Sequence, residues 1–226
     1  MSVLSKIISV FKKKKKEEVK QKEKLPTNNA NYEKIAKHEA AHGIVWYLFR
    51  QNWIVNQLTI EKENLPYENM NGALHITANF DPKAETSIER TNEIFAIALS
   101  GMIGQNLDLV YQEPLLIGKS SNFENIFDMF DISGCGGDFD IVKKYLPFLS
   151  EAYNTNEYKF IKFKIFDLIN LFQEHSIVRL LHHDLSELLL EKRTLFSEDL
   201  IDFFDKYKFS EYISREDLDT NFYYQY

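Results

Sequence analysis

The pair of histidines in YEKIAKHEAAHGIVWYLF, residues 32–49, constrains this chain more than any other feature. Apolar residues recur at helical spacing around the pair, and Asn31 can cap the helix that this pattern predicts. Positions four apart share one face of a helix, so His38 and His42 can bind the same metal ion. Glu39 lies one position off that face and can take a proton from an attacking water. The pattern predicts either a zinc-hydrolase site or an ordinary amphipathic helix that carries two histidines.

A zinc site of this kind needs a third protein ligand, and two carboxylates are candidates. Asp138 follows the glycine-rich SGCGG at the predicted start of a helix, where the helix dipole favours a carboxylate. Glu93 lies in an Asn-Glu pair on another predicted helix. A third histidine six positions after His42 is absent, because Leu48 stands there. The residues themselves leave both carboxylates open.

The composition excludes several classes of protein. With 44% hydrophobic and 27% charged residues, the chain is predicted to be globular and soluble, and no apolar stretch reaches the roughly 18 residues of a membrane-spanning helix. The single cysteine, Cys135, excludes a disulfide framework, favours a cytoplasmic location and is predicted to be a small residue in a tight turn. Nine lysines and three glutamates give residues 1–25 a charge of +6, which leaves −13 for the rest of a chain whose net charge is −7. An acidic body argues against nucleic acid as a partner.

Residues 1–30 form a basic leader, which we predict to be flexible. Its apolar residues recur at helical spacing, and five consecutive lysines follow them at 12–16. An apolar face beside a polybasic run can lie on an anionic membrane surface, so residues 3–16 are candidates for peripheral contact at the inner face of a membrane. The alternative is a solvated segment without a partner.

The remaining pattern predicts a mostly helical α+β domain over residues 31–208, followed by a tail at 209–226. WIVNQLTIEKE and GALHITANF indicate two strands joined by a turn. The long helix ETSIERTNEIFAIALSGMIGQNL precedes an insertion at 107–131. The helices beyond it, with a break near 174–176, form a C-terminal helical bundle.

Five segments, in order, resemble the peptidase domain of the FtsH-type AAA zinc metalloproteases. They span roughly residues 33–206 and are HEAAHGIV, the strand pair, IFAIALSGMIGQNL, SGCGGDFDIVKKYL and DLSELLLEKRTLFSEDLIDFF. The resemblance implies a zincin-like HExxH helix in a zinc metallopeptidase. It implies that His38, His42 and Asp138 bind Zn²⁺ and that Glu39 is the general base. It also implies that a polypeptide substrate pairs with the second strand, which carries His75.

The chain departs from that family at two points. It has no phosphate-binding glycine-rich loop, so the resemblance implies an ATP-independent peptidase domain standing alone. Such a domain acts on flexible polypeptides or works with an unfoldase or ATPase partner in trans. The Arg and Glu of the family's small-residue motif are replaced at Met102 and Gln105–Asn106. A catalytically impaired module that binds polypeptides or a partner protein is therefore the alternative. The family's hexamers leave a homo-oligomer open.

Overall fold

The computed structural model describes residues 29–61, 72–80, 87–108 and 134–218. The chain divides into two compact units, Met1–Tyr32 and Glu33–Tyr226. The basic leader, the predicted turn between the first two strands and nearly all of the insertion at 107–131 lie outside the described residues.

Helices dominate the described residues, and the prediction of a mostly helical α+β fold with a small sheet is confirmed. The helices are α1 (Asn29–Leu48), α2 (Ile88–Gln105), α3 (Gly136–Ala152), α4 (Glu157–Glu174), α5 (Ser176–Lys192) and α6 (Ser197–Lys206). The strands are β1 (Trp53–Thr59), β2 (Ala73–Ala78) and β3 (Thr194–Phe196). None of these helices is both long enough and apolar enough to cross a lipid bilayer.

The sheet is antiparallel, with the strand order β2-β1-β3. Leu58 in the central strand lies opposite Leu74 on one side and Leu195 on the other. The sequence predicts the strand pair β1–β2 but not β3, because residues 194–196 lie where the closing helices are expected. Three residues carry too little periodicity to identify a strand, and only their pairing with β1 makes them one.

Side chains next to the helices fix several of the helix ends. The Ser87 hydroxyl accepts a hydrogen bond from the Arg90 amide at the start of α2, and Asn156 accepts one from the Lys159 amide at the start of α4. His175 separates α4 from α5, within the predicted break. Helix α1 begins at Asn29, two residues before the predicted cap, Asn31.

Small residues let α1 and α2 approach closely. A Cβ atom added to Gly104 on α2 would lie 2.3 Å from the Cβ of Ala41 and 2.8 Å from the carbonyl oxygen of Lys37. On the opposite side of α1, a Cβ at Gly43 would meet side chains from β1 and α5, each at 3.2 Å. Helix α1 is therefore buried between α2, the sheet and α5, and its two histidines are buried with it.

Buried residues continue beyond residue 208, into the segment that the sequence analysis predicts as the tail. Two short 3-10 helices, Phe209–Glu211 and Arg215–Leu218, follow α6. Phe209, Ile213 and Leu218 are all buried. These three apolar side chains hold the segment against the body through contacts that its Tyr- and Asp-rich composition did not indicate.

Candidate metal centre

Three side chains from two distant helices bring their polar atoms together. The Nε2 atoms of His38 and His42 are 2.9 Å apart, as their spacing on α1 predicts. Asp138, in the first turn of α3, lies with Oδ2 2.9 Å from His38 Nε2 and Oδ1 3.4 Å from His42 Nε2. Ligands of a tetrahedral zinc ion with bonds of about 2.0–2.1 Å are about 3.3 Å apart. The spacing of these atoms is therefore compatible with a single bound metal ion.

Hydrogen bonds at the far side of each ring determine which nitrogen faces this point. The Nδ1 of His42 is 2.6 Å from the carbonyl oxygen of Ile97, and a carbonyl can only accept a hydrogen bond. His42 therefore carries its proton on Nδ1, which leaves the Nε2 lone pair directed at His38 and Asp138. The Nδ1 of His38 is 3.1 Å from the amide oxygen of Gln105, which selects the same tautomer. Metal-binding histidines are commonly held in this way.

Two lone pairs at 2.9 Å beside a carboxylate repel one another unless a cation lies between them. A proton can supply that charge. Burial lowers the pKa of His38, but hydrogen bonds to Asp138 and Cys135 and the charges of Asp138 and Glu39 outweigh it and raise the pKa well above its ordinary value. Burial raises the pKa of Asp138, but the neighbouring His42 and His38 more than offset it and hold the pKa well below its usual range. A divalent metal ion bound by the same atoms would also supply the positive charge.

Gly101 on α2 provides the room for such an ion. A Cβ atom added to it would lie 2.5 Å from the Nε2 atoms of both His38 and His42. The missing side chain therefore leaves free the space onto which the two nitrogens converge. Any other residue here would fill that space.

Glu39 is a buried carboxylate beside the histidines. It is 3% exposed, and among the described residues no group donates a hydrogen bond to its Oε2. Burial raises the pKa of Glu39 to about 6, against the opposing effect of the two histidines. The start of β2 approaches it closely, because a Cβ at Gly72 would lie 2.5 Å from Glu39 Oε1. Glu39 thus has one oxygen, Oε1, against the start of β2, and a second, Oε2, to which no described residue donates.

Cys135 offers a second donor set. The potential ligand atoms of His38, Cys135 and Asp138 lie within 4.8 Å of one another, and this buried group could also hold a metal ion. However, the Cys135 Sγ contacts His38 through Nδ1, at 3.8 Å, whereas Asp138 contacts Nε2. The two nitrogens of one imidazole point in different directions, so Cys135 and Asp138 do not face the same lone pair. The geometry therefore favours His38, His42 and Asp138 as the ligand set.

The other candidate carboxylate, Glu93, lies in a separate cluster. It is 1% exposed, and its oxygens accept hydrogen bonds or form ion pairs with Asn52, Trp53, Arg90 and Arg215. The structure brings Asp138 to the histidines and places Glu93 among these donors.

The two replaced positions on α2 have different surroundings. Met102 is buried, and the Asn106 amide donates to the Met102 carbonyl at the end of the same helix. Gln105 instead reaches His38 and donates from Nε2 to the Cys135 sulfur at 3.4 Å. Sequence reasoning missed this contact of Gln105 and Cys135 with His38. The available signal was the spacing on α2, where Gln105 lies one helical turn after Gly101.

His75 does not share the site's face of the sheet. Gly72 faces Glu39, and side chains alternate along a strand, so Leu74 shares that side while His75 lies on the other. Burial lowers the pKa of His75.

No protein-family model matches this chain, and no curated protein is significantly similar to it. The candidate centre therefore has to be interpreted from its own geometry.

Proposed function

We propose that this protein is a zinc-dependent metallopeptidase in which His38, His42 and Asp138 bind zinc and Glu39 is the general base. The observation that carries the proposal is the convergence of two lone pairs and a carboxylate on the space left by Gly101. Glu39, which interacts electrostatically with His38, His42 and Asp138, has a buried oxygen without a donor among the described residues. These are the parts that hydrolysis by an activated water requires.

Each residue has a distinct part in this mechanism. When bound, zinc lowers the pKa of a water molecule and polarises the carbonyl of the scissile peptide bond. Glu39 accepts the proton of the attacking water and then donates it to the leaving amine, which restores the carboxylate. Ile97 and Gln105 keep His42 and His38 in the tautomer that presents Nε2.

The sheet favours a polypeptide as the substrate. Among the described strands, β2 pairs only with β1, so backbone groups along its other edge can bond an extended chain. The start of β2 lies against Glu39. A polypeptide added to that edge would therefore run towards the general base. This arrangement agrees with the resemblance to the FtsH-type peptidase domain, which remains part of the proposal.

The proposed activity is ATP-independent and limited to loose substrates. Because the sequence contains no phosphate-binding glycine-rich loop, stable proteins would need an unfoldase partner in trans.

Metal analysis and a digestion assay on the purified full chain test the proposal together. We expect about one zinc per chain and cleavage of an unfolded polypeptide that stops on chelation and returns on adding zinc. The Glu39→Gln variant should retain the metal and lose the cleavage.

The possible results separate the two readings of the site. Equal cleavage by wild type and Glu39→Gln would show that a contaminant is responsible, which would overturn the peptidase proposal. Zinc binding without cleavage by wild type would favour the alternative, a module that binds polypeptides without cutting them. Absence of zinc would overturn the metal centre.

A further inference from the structure

We infer that Gln105 and Cys135 form a neutral pair that positions His38 for metal binding, an inference that rests on the proposed zinc site. Neither residue faces the point where the ligand atoms converge. Both lie at the Nδ1 side of the His38 ring. They would act through His38 and are positioning residues, not ligands.

The three groups form a consistent chain of hydrogen bonds. His38 donates from Nδ1 to the Gln105 oxygen at 3.1 Å, and Gln105 donates from Nε2 to the Cys135 sulfur at 3.4 Å. The sulfur in turn lies 3.8 Å from His38 Nδ1. Cys135 is fully buried, and His38 is 6% exposed. Water therefore competes little with these contacts.

This pair also connects the two halves of the metal centre. Gln105 is the last residue of α2, and Cys135 is the N-cap of α3, three residues before Asp138. The contact therefore holds His38 in place relative to the turn that carries the third ligand. His42 differs, because the backbone carbonyl of Ile97 holds it and no side-chain substitution removes that partner directly.

The pair is uncharged, and this has a measurable consequence. A carboxylate that accepts from the far nitrogen of a metal-bound histidine makes the ring more basic and strengthens metal binding. A carboxamide does so less. Removing the amide should therefore lower the zinc affinity. Replacing the amide with a carboxylate should raise it.

Zinc dissociation constants, measured on the full chain by competition with a chromogenic chelator, test this inference. We expect Gln105→Met to weaken zinc binding about 10- to 100-fold and Gln105→Glu to strengthen it by up to about 10-fold. The matched control is Asn106→Leu, which removes a buried amide at the same end of α2, one that donates to the Met102 carbonyl. Its zinc affinity should stay within about 3-fold of wild type.

Cobalt replaces zinc in a second measurement that separates positioning from ligation by Cys135. We expect the cobalt protein to lack a thiolate-to-cobalt charge-transfer band, and Cys135→Ala to weaken metal binding by about 10-fold. A charge-transfer band that disappears in Cys135→Ala would show that the sulfur is a ligand and would overturn the positioning role. Unchanged zinc affinity in both Gln105 variants would overturn it as well.

These outcomes are independent of peptide cleavage. If wild type binds zinc but cleaves nothing, and the two Gln105 variants shift the affinity in opposite directions, the positioning pair stands and the peptidase proposal fails. If wild type cleaves and the Gln105 variants bind zinc like wild type, the peptidase proposal stands and the positioning pair fails. A wild type that binds no metal overturns both.

Discussion

The protein contains two clusters around buried carboxylates, and the clusters differ in what balances the negative charge. Around Glu93, the partners are the Asn52 amide, the Trp53 indole and the guanidinium groups of Arg90 and Arg215. All of these groups donate, and two of them are cationic. The carboxylate is therefore neutralised by the protein itself.

Around Asp138, the neighbouring groups are acceptors once the tautomers are fixed. The Nε2 atoms of His38 and His42 direct lone pairs at it, and Glu39 adds a second carboxylate nearby. This cluster needs a cation from outside, either a proton or a metal ion. A buried charge is weak evidence for a functional site, because the protein can neutralise it. A group of buried acceptors without enough donors is stronger evidence.

The largest expected effect is on the rate of peptide cleavage. Glu39→Gln removes the proton acceptor, so we expect cleavage to fall by about 10²- to 10⁴-fold, while the zinc content stays at the wild-type value. Initial rates on an unfolded polypeptide and metal analysis check both parts. Loss of zinc along with activity would mean that Glu39 also supports the metal, and the assignment as general base would then need revision.

The same substitution in the other cluster should affect stability. Glu93→Gln places an amide NH₂ among donors, removes the carboxylate that pairs with Arg90, and leaves Arg215 with its longer ion pair to Glu89 at 3.8 Å. We expect the free energy of unfolding to fall by about 3 kcal/mol, at the low end for a broken buried pair because both guanidinium groups reach solvent. Denaturant titration measures this loss.

Zinc affinity provides the control that distinguishes the Glu93 cluster from the Asp138 cluster. Folded Glu93→Gln should bind zinc as wild type does, whereas Asp138→Asn should not. Comparable zinc affinities in these two variants would remove the distinction between the clusters.

Two glycines on neighbouring helices test whether the metal occupies the space beside the two histidines. Gly101→Ala puts a methyl group 2.5 Å from both imidazole nitrogens, so we expect zinc affinity to fall by at least about 100-fold, more than loosening a hydrogen bond to a ligand would cost. Gly43→Ala meets only the ends of Leu58 and Leu185 at 3.2 Å. Chelator competition on both variants should show normal affinity for Gly43→Ala. Equal affinities would place the metal elsewhere.

Substitution of His182 should give the smallest effect, a change in how stability depends on pH. His182 is a buried histidine whose hydrogen-bond partner is supplied by the protein backbone. It donates from Nε2 to the Lys37 carbonyl at 2.8 Å, and burial lowers its pKa from 6.5 to about 4. Between these values the unfolded chain binds a proton that the folded chain does not, so stability falls as the pH falls. From pH 7 to pH 5 this contribution should be about 2 kcal/mol.

The His182→Gln variant lacks this titration. The stability that wild type loses over the same pH range should exceed the loss in His182→Gln by that amount, as measured by denaturant titration at both pH values. Equal losses would mean that His182 does not stay neutral in the folded protein. Zinc affinity at pH 7 should be similar in the two proteins.

Much of the fold could be predicted because its signals are local. The helix around His38, the strand pair β1–β2 and the helix that begins at Gly136, two residues before Asp138, all follow from short-range periodicity and from glycine placement. Strand β3 and the packed segment after α6 could not, because each depends on distant partners. Phe209 is buried only because the body of the protein provides a place for it.

For the candidate site, the sequence by itself determined that His38 and His42 share a helical face. Residues four apart lie about one turn from each other in an α-helix, so their side chains point the same way. The sequence also determined that Asp138 lies in the first turn of a helix. Only the tertiary structure brings Asp138, and not Glu93, next to the two histidines. Only the tertiary structure also places the Ile97 carbonyl beside His42 and the Gln105 amide beside His38. Those contacts join residues 55 or more positions apart in the chain. Hydrogen bonds over such separations depend on how α1, α2 and α3 pack, and no local period encodes that packing.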